Sequence, residues 1–139
     1  MYLENYKKWI ESPYVDEQTK AELKSLTDDE DIKFRFIKML DFGTAGLRGT
    51  MGAGLNMMNV YTVKRATQGL AEWVKSLGTA AMERGVVISF DTRRKSEEFA
   101  KATAAVLAKN GIKAYLFDDV HPVPMLSYAV RYLKTIAGV

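Results

Sequence analysis

"GVVISFDTRRKSEEFAKATAAVLAKNGIKAYLF", residues 85–117, decides the fold. Residues 85–90, GVVISF, are a short apolar run rich in β-branched side chains, the pattern of a strand buried on both faces. Ser96 is placed to cap a following helix, with Glu97 and Glu98 complementing its first turn. Phe99, Ala102 or Thr103, and Val106 recur at helical spacing and face inward, and Asn110-Gly111 ends the helix. Residues 112–117, IKAYLF, return to a strand. A strand, a helix and a second strand within this length make a parallel crossover unit.

The same alternation extends in both directions. Pro124 suits the first turn of a helix through about Leu133, and TIAGV, residues 135–139, begins another apolar strand. Before residue 85, Val63, Ala66, Leu70, Trp73 or Val74, and Leu77 line one helical face. The expected fold class is therefore α/β. It is a three-layer α/β/α domain with a mainly parallel mixed sheet, preceded by an N-terminal helical extension. In such sheets ligands sit beyond the carboxyl ends of the strands, which points to the loops 91–96 and 118–124.

The extension covers residues 1–40 and the α/β domain residues 41–139. Leu3, Tyr6 and Ile10 fall at helical spacing, Ser12-Pro13 interrupts, and Asp16 caps a second helix carrying Leu23 and Leu26. Thr27-Asp28-Asp29-Glu30 has the form of a capping box ahead of Ile32 and Phe36. The acidic run from Asp28 to Asp31 fits first-turn carboxylates at a positive helix end better than a metal site, for which the alternating spacing is missing. No metal-binding residues are assigned in this chain.

Composition narrows the function. The 139 residues are 47% hydrophobic and 27% charged, ordinary for a globular chain. There are no cysteines, so disulfide frameworks and thiolate sites are excluded, and one histidine, His121, gives Ser-His-Asp chemistry little support. Neither an apolar bilayer-spanning run nor a secretory leader is present, and no membrane partner is expected. A cytoplasmic location is the simplest expectation. Nucleic acid is not an expected partner either, since no basic run carries interleaved aromatics. Charge is uneven: residues 1–41 hold seven Lys/Arg against ten Asp/Glu, and residues 42–139 hold thirteen against seven. The basic excess suits an anionic ligand, and equally a solvated basic face.

"DFGTAGLRGTMGAGLN", residues 41–56, gathers five of the ten glycines around Arg48. Glycines at 43, 46 and 49 permit positive φ and clear side chains from a ligand's path. Thr44 offers a hydroxyl and Arg48 a planar fork matched to phosphate. This reads as an oxyanion site or as a tight connection between elements. GAGLNM, residues 52–57, imitates a dinucleotide-binding G-x-G-x-x-G but has Met57 where the third glycine belongs. Arg93, Arg94 and Lys95 before the helix at Ser96 could attract a phosphate; alternatively Asp91 and Ser96 satisfy the turn while the cations face water.

FGTAGLRG, residues 42–49, resembles the N-terminal signature of the α-D-phosphohexomutases, the phosphoglucomutase/phosphomannomutase family. MNVYTVKRATQGLAEWV resembles the helix that follows it, VVISFDTRRKSEEFA the second strand and its Asp-x-Arg loop, and HPVPMLSYAVRYLKTIAGV the segment leading to the catalytic serine loop. The helical extension is similar to that of the phosphoglucomutase-2/phosphopentomutase-like branch. The resemblance implies the N-terminal domain of a four-domain enzyme interconverting hexose 1-phosphate and 6-phosphate, with glucose the leading hexose. The route runs through a phosphoserine and a bisphosphate intermediate. It implies phosphate or substrate contacts from Thr44, Gly46, Arg48 and Arg93, with Arg48 catalytic. It also implies Mg²⁺ held by ligands outside this chain and a glucose 1,6-bisphosphate-type activator. The partners would be a hexose phosphate and the remaining domains of the same polypeptide.

Two departures stand out. Pro122-Val123-Pro124 replaces the family's frequent Pro-Thr-Pro. The apolar strand to Val139 stops before the expected serine loop, so the chain is expected to be a truncated domain, inactive alone and prone to self-association. Phosphomannomutase and phosphopentomutase domains are alternatives, as is a non-enzymatic sugar-phosphate-binding module.

Overall fold

The computed structural model describes residues 1–139 except Ala45, which lies inside the glycine stretch. It divides into two compact units, Met1–Thr62 and Val63–Val139.

In the first unit α1 (Tyr2–Glu11), α2 (Glu17–Lys24) and α3 (Asp29–Phe36) surround the fully buried Leu23 and Phe36. Tyr6 and Trp9 meet the Phe36 ring edge-on, with centroids 5.6 and 5.7 Å apart. Such pairs add to the free energy of apolar burial. The helix starts are built by carboxylates. Asp16 caps α2, accepting from the Thr19 amide at 2.8 Å. Asp28 caps α3, accepting from the Glu30 amide at 3.0 Å. The cap of α3 is thus Asp28, not the Thr27 of the expected box. An Asp oxygen two residues ahead of the amide closes the turn as well as a hydroxyl three ahead. The acidic run is the first turn of α3.

The first unit also contains a two-stranded antiparallel hairpin, β1 (Phe42–Gly43) and β2 (Gly46–Leu47), and the start of α4 (Val60–Ser76). Two-residue strands with two glycines carry almost no pattern of alternation, and the sequence read this stretch only as a loop. Tyr61 donates its hydroxyl to Asp16 Oδ2 at 2.6 Å and accepts from the Asp16 amide at 2.8 Å, while its ring packs edge-on against Trp9.

The second unit holds α5 (Thr79–Arg84), β3 (Val86–Ile88), α6 (Ser96–Lys109), β4 (Ala114–Leu116), α7 (Val123–Tyr132) and β5 (Ala137–Gly138). The strands form a sheet in the order β4-β3-β5, with both pairings parallel. Among the described residues the three-stranded sheet is wholly parallel, and antiparallel pairing occurs in the β1–β2 hairpin. Val86, Val87 and Ile88 are all fully buried. Val86 and Ile88 join Ala71 and Val74 of α4 and Ala100 and Leu107 of α6 in one core. Val87 points to the other face by the strand's alternation, and there Leu126 and Val130 of α7 lie against Gly138 of β5. The result is the α/β/α layering that the sequence predicts.

Polar groups lock the layers. The Gln68 and Asn110 amides exchange hydrogen bonds at 3.2 and 2.8 Å, tying α4 to the C-cap of α6. α5 was not read from the sequence; its Arg84 donates to the carbonyls of Lys134 and Thr135 at 2.9 and 3.3 Å. Lys134 takes the left-handed conformation, φ 55°, after α7. The Thr135 amide reaches back to Val130 O and that of Lys134 to Arg131 O, a six-to-one and five-to-two closure.

Two outcomes follow from these contacts. The hydrogen bonds from Tyr61 and Thr19 hold the Asp16 carboxyl at about 2, below its ordinary 3.8. A depressed carboxylate stabilises the fold above its unfolded value and loses that contribution as pH falls toward the folded one. Tyr61→Phe keeps the ring but should raise the Asp16 value toward 3.8 in a carbon-detected NMR titration. The stability gap to the wild type should be full at neutral pH and close as pH falls from 3.8 to about 2. A gap unchanged across that window would refute the assignment. Separately, Lys134→Gly should stabilise by about 1 kcal/mol in urea unfolding, since glycine occupies this conformation without strain; a destabilised variant would contradict the strain argument.

Candidate functional site

The hairpin pairs Phe42 with Leu47 and Gly43 with Gly46, which puts Thr44 at the turn and Arg48 just past the second strand. Gly46 has φ +93°, and a side chain built there meets nothing within 4 Å among the described residues. Backbone conformation, rather than room for a side chain, calls for glycine at this position. Thr44 and Arg48 are both exposed. The structure thus brings Thr44 and Gly46 onto one short hairpin, with Arg48 the first residue after it. A hydroxyl and a guanidinium beside glycine backbone is a donor set suited to phosphoryl oxygens.

Arg93 stands on a separate loop of the second unit, residues 91–95, at the carboxyl end of β3. Asp91 organises this loop: its carboxylate accepts from the Arg93 amide at 3.0 Å and from Arg93 Nε at 2.8 Å. These bonds, the amide first, hold the Asp91 carboxyl below its ordinary value. Ser96 begins α6 but does not cap it. Lys95 is the cap residue, in the left-handed conformation with φ 62°, and Ser96 Oγ instead accepts from the Asp91 amide at 3.1 Å. A hydroxyl engaged across the loop is withdrawn from its own helix end. Lys95 carries backbone strain of the kind that persists only where its surroundings fix it. Arg93 is 81% exposed at its side chain despite the contact with Asp91. The turn-satisfying roles of Asp91 and Ser96 are therefore present, with the cationic head turned outward.

Other sequence candidates are placed plainly. His121 donates its amide to Phe90 O at 3.2 Å and sets its ring edge-on to Phe117. It borders a cleft of about 450 Å³ with Val87, Tyr115, Asp118 and Met125, whose lining includes no lysine or arginine. Of the methionines beside the glycine stretch, Met57 is buried and Met51 is exposed. Among the described residues no cluster of three His, Asp or Glu side chains could hold a metal ion, and no helix is long and apolar enough to cross a membrane.

Sequence reasoning passed over Glu22 and Arg35. They lie 13 positions apart on different helices, yet form an ion pair of 2.8 Å that also grips the main chain of Ala53. Nothing in the spacing of one charge within each helix announces a pair between helices.

Comparison with known proteins places the chain in a family. The family description "Phosphoglucomutase/phosphomannomutase, alpha/beta/alpha domain I" matches residues 39–139. A mouse (Mus musculus) phosphopentomutase is 36% identical over 138 residues, 95% of this chain and 22% of that protein. A probable phosphoribomutase of Schizosaccharomyces pombe is 42% identical over 127 residues, 89% of this chain and 22% of its own length. A phosphoglucomutase of Staphylococcus saprophyticus is 37% identical over 131 residues, 94% of this chain and 23% of its own. No solved structure gives a significant match. The chain belongs to the phosphoglucomutase/phosphomannomutase family and carries its α/β/α domain I. It spans about a fifth of the length of these relatives.

The loop geometry yields its own test. Ser96→Ala removes the acceptor of the Asp91 amide, and hydrogen exchange at Asp91 should speed up roughly tenfold, the worth of one ordinary hydrogen bond. Unchanged protection at Asp91 would show that another group holds the loop.

Proposed function

We propose that this chain is the N-terminal domain of a phosphosugar mutase and that its glycine hairpin faces the phosphoryl group in transfer. The observation that carries the reading is that Thr44, at the turn, and Arg48, directly after the second strand, are both exposed on one short stretch of the family-matched domain. In the proposed reaction a phosphoserine elsewhere in the polypeptide gives its phosphoryl group to a free hydroxyl of a sugar monophosphate. The serine–phosphate bond breaks and a sugar bisphosphate forms. The other phosphate then returns to serine, releasing the isomeric monophosphate.

Such transfer involves little chemistry by side chains; positioning and charge stabilisation carry it. Arg48 opposes the negative charge and orients the oxygens with two parallel N–H donors. Thr44 supplies a further donor, and the glycine backbone lets the group approach closely. Arg93 belongs to the reading as a second phosphate-directed cation, free to exchange Asp91 for an anion at its exposed head.

The first substrate to test is a hexose phosphate, glucose 1-phosphate, going to the 6-phosphate. A pentose phosphate is the second reading, favoured by the relatives named phosphopentomutase and phosphoribomutase. Magnesium and a glucose 1,6-bisphosphate-type activator would be met by parts of the enzyme outside this chain. No step is assigned to the metal, because among the described residues no cluster of three His, Asp or Glu side chains could hold it.

The test uses the complete enzyme that contains this chain. In single-turnover transfer from the phosphorylated protein, Arg48→Ala should lower the rate by about two to three decades, as loss of a charge-stabilising donor does. Arg48→Lys should fall between, keeping charge but losing the fork. Thermal unfolding of both variants should stay near the wild type. A folded Arg48→Ala enzyme with the wild-type transfer rate would remove Arg48 from the mechanism.

A further inference from the structure

The hairpin strands β1 and β2 hold two residues each, with Phe42, Gly43 and Gly46 exposed, so their own ladder gives little rigidity. What fixes Arg48 must lie at the stems. On the entering side, the Leu40 amide donates to Leu55 O at 2.8 Å. On the leaving side, the Met58 amide donates to Thr50 O at 2.8 Å, and the Gly52 amide to Met58 O at 3.2 Å. The entering stem is thus bonded to the segment 50–59, and the leaving stem runs directly into that segment, which its own bonds brace.

That segment is in turn held by the helical extension. Glu22 Oε1, from α2, accepts from the Ala53 amide at 3.0 Å and from Arg35 Nη1 at 2.8 Å. The same Arg35 Nη1, from α3, donates to Ala53 O at 3.2 Å. One ion pair thus takes both main-chain groups of a single buried residue, Ala53 being 2% exposed. Arg35 is largely buried, with its side chain 15% exposed. Burial works against its charge, but the bonds to Asp31 and Glu22 outweigh it and hold its pKa above the ordinary value. The approach is close. Gly54 has φ +135°, and a Cβ there would meet Arg35 Cβ at 2.8 Å and Arg35 O at 2.9 Å. From the other side Asn59 Nδ2 donates to the carbonyls of Gly52 and Gly54 at 2.9 and 2.8 Å.

We infer that the Glu22–Arg35 pair is a positioning device for the phosphoryl-facing hairpin. By locking Ala53 it fixes the platform from which both stems of the 41–49 loop rise, and so sets where Arg48 points. The inference deepens the function proposed above and rests on it for its catalytic consequence. Its structural content stands apart from activity. Asp31 provides the control: it holds Arg35 Nε at 3.0 Å from within α3, and its side chain makes no hydrogen bond to the 50–59 segment among the described residues.

The first measurement is amide NMR of the 139-residue chain. Glu22→Ala should shift the resonances of Gly46 to Gly49 and raise their hydrogen exchange severalfold, whereas Asp31→Ala should leave them in place. Glu22→Gln, whose amide oxygen can still accept from Ala53, should restore most of the wild-type spectrum and serves if Glu22→Ala fails to fold. Perturbation confined to residues 52–54, or equal perturbation by Asp31→Ala, would overturn the inference. The second measurement is catalytic, in the complete enzyme. Glu22→Ala should lower kcat about tenfold with KM little changed, the mark of misplacement, and Asp31→Ala should keep kcat. A hairpin that moves with kcat unchanged would uphold the positioning role while counting against the phosphoryl-facing reading of Arg48.

Discussion

The second unit depends on β3. Its three residues, Val86, Val87 and Ile88, have no exposed surface. A strand that apolar cannot face water on either side, so it must be central, and helices must cover both faces. From this follow the flanking parallel partners β4 and β5, the core shared with α4 and α6, and the cover of α7 on the side of Val87. It also follows that the backbone leaves β3 at its carboxyl end into an exposed loop, where Asp91 and Ser96 must satisfy main-chain groups that no strand partner reaches. Replacing Ile88 by alanine would be expected to remove several kcal/mol, as truncation of a buried core side chain does. The site loop would go with it.

The first unit solves a different problem. Its core is small, built on Leu23, Phe36 and Ala53 with partly exposed aromatics around them. Side-chain packing alone orders little of a glycine-rich stretch, which sends Ala53 and Leu55 to this core but has few other side chains to pack. Order comes instead from hydrogen bonds to its main chain, supplied by side chains of the helices before it and by Asn59 after it. Half of this device is an ion pair with little exposure on the arginine side. A pair so placed adds directional constraint, even where its net contribution to stability is small. On the proposed function, precise placement of an exposed guanidinium is what phosphoryl transfer would ask of this part of the molecule.

Much of the architecture was legible because its signals are local. The apolar run at residues 85–90, the helical spacing through α6 and the Asn110-Gly111 stop each depend on neighbouring residues; the strand occupies Val86–Ile88 of that run, the helix ends at the expected stop, and its buried face is shifted by one residue at each end, to Ala100 and Leu107 in place of Phe99 and Val106. The missed features depend on partners far along the chain, or on patterns too short to register. The hairpin strands hold two residues each. α5 is six residues long, with one buried side chain, Ala81. Ser96 fits a helix cap by type, but the Asp91 amide claims its hydroxyl. Thr44, Gly46, Arg48 and Arg93 were identified as candidates by residue type and by resemblance. The Glu22–Arg35 pair, which reaches from one helix to another and on to Ala53, has no counterpart in any local rule.

The most direct test of the central claim is a crystal structure of the complete enzyme with its serine phosphorylated. The account places the Arg48 guanidinium on the phosphoryl oxygens through two N–H donors, each at about 2.7–2.9 Å. An Arg48 that points to solvent in that structure, with the phosphoryl group held by other donors, would contradict it.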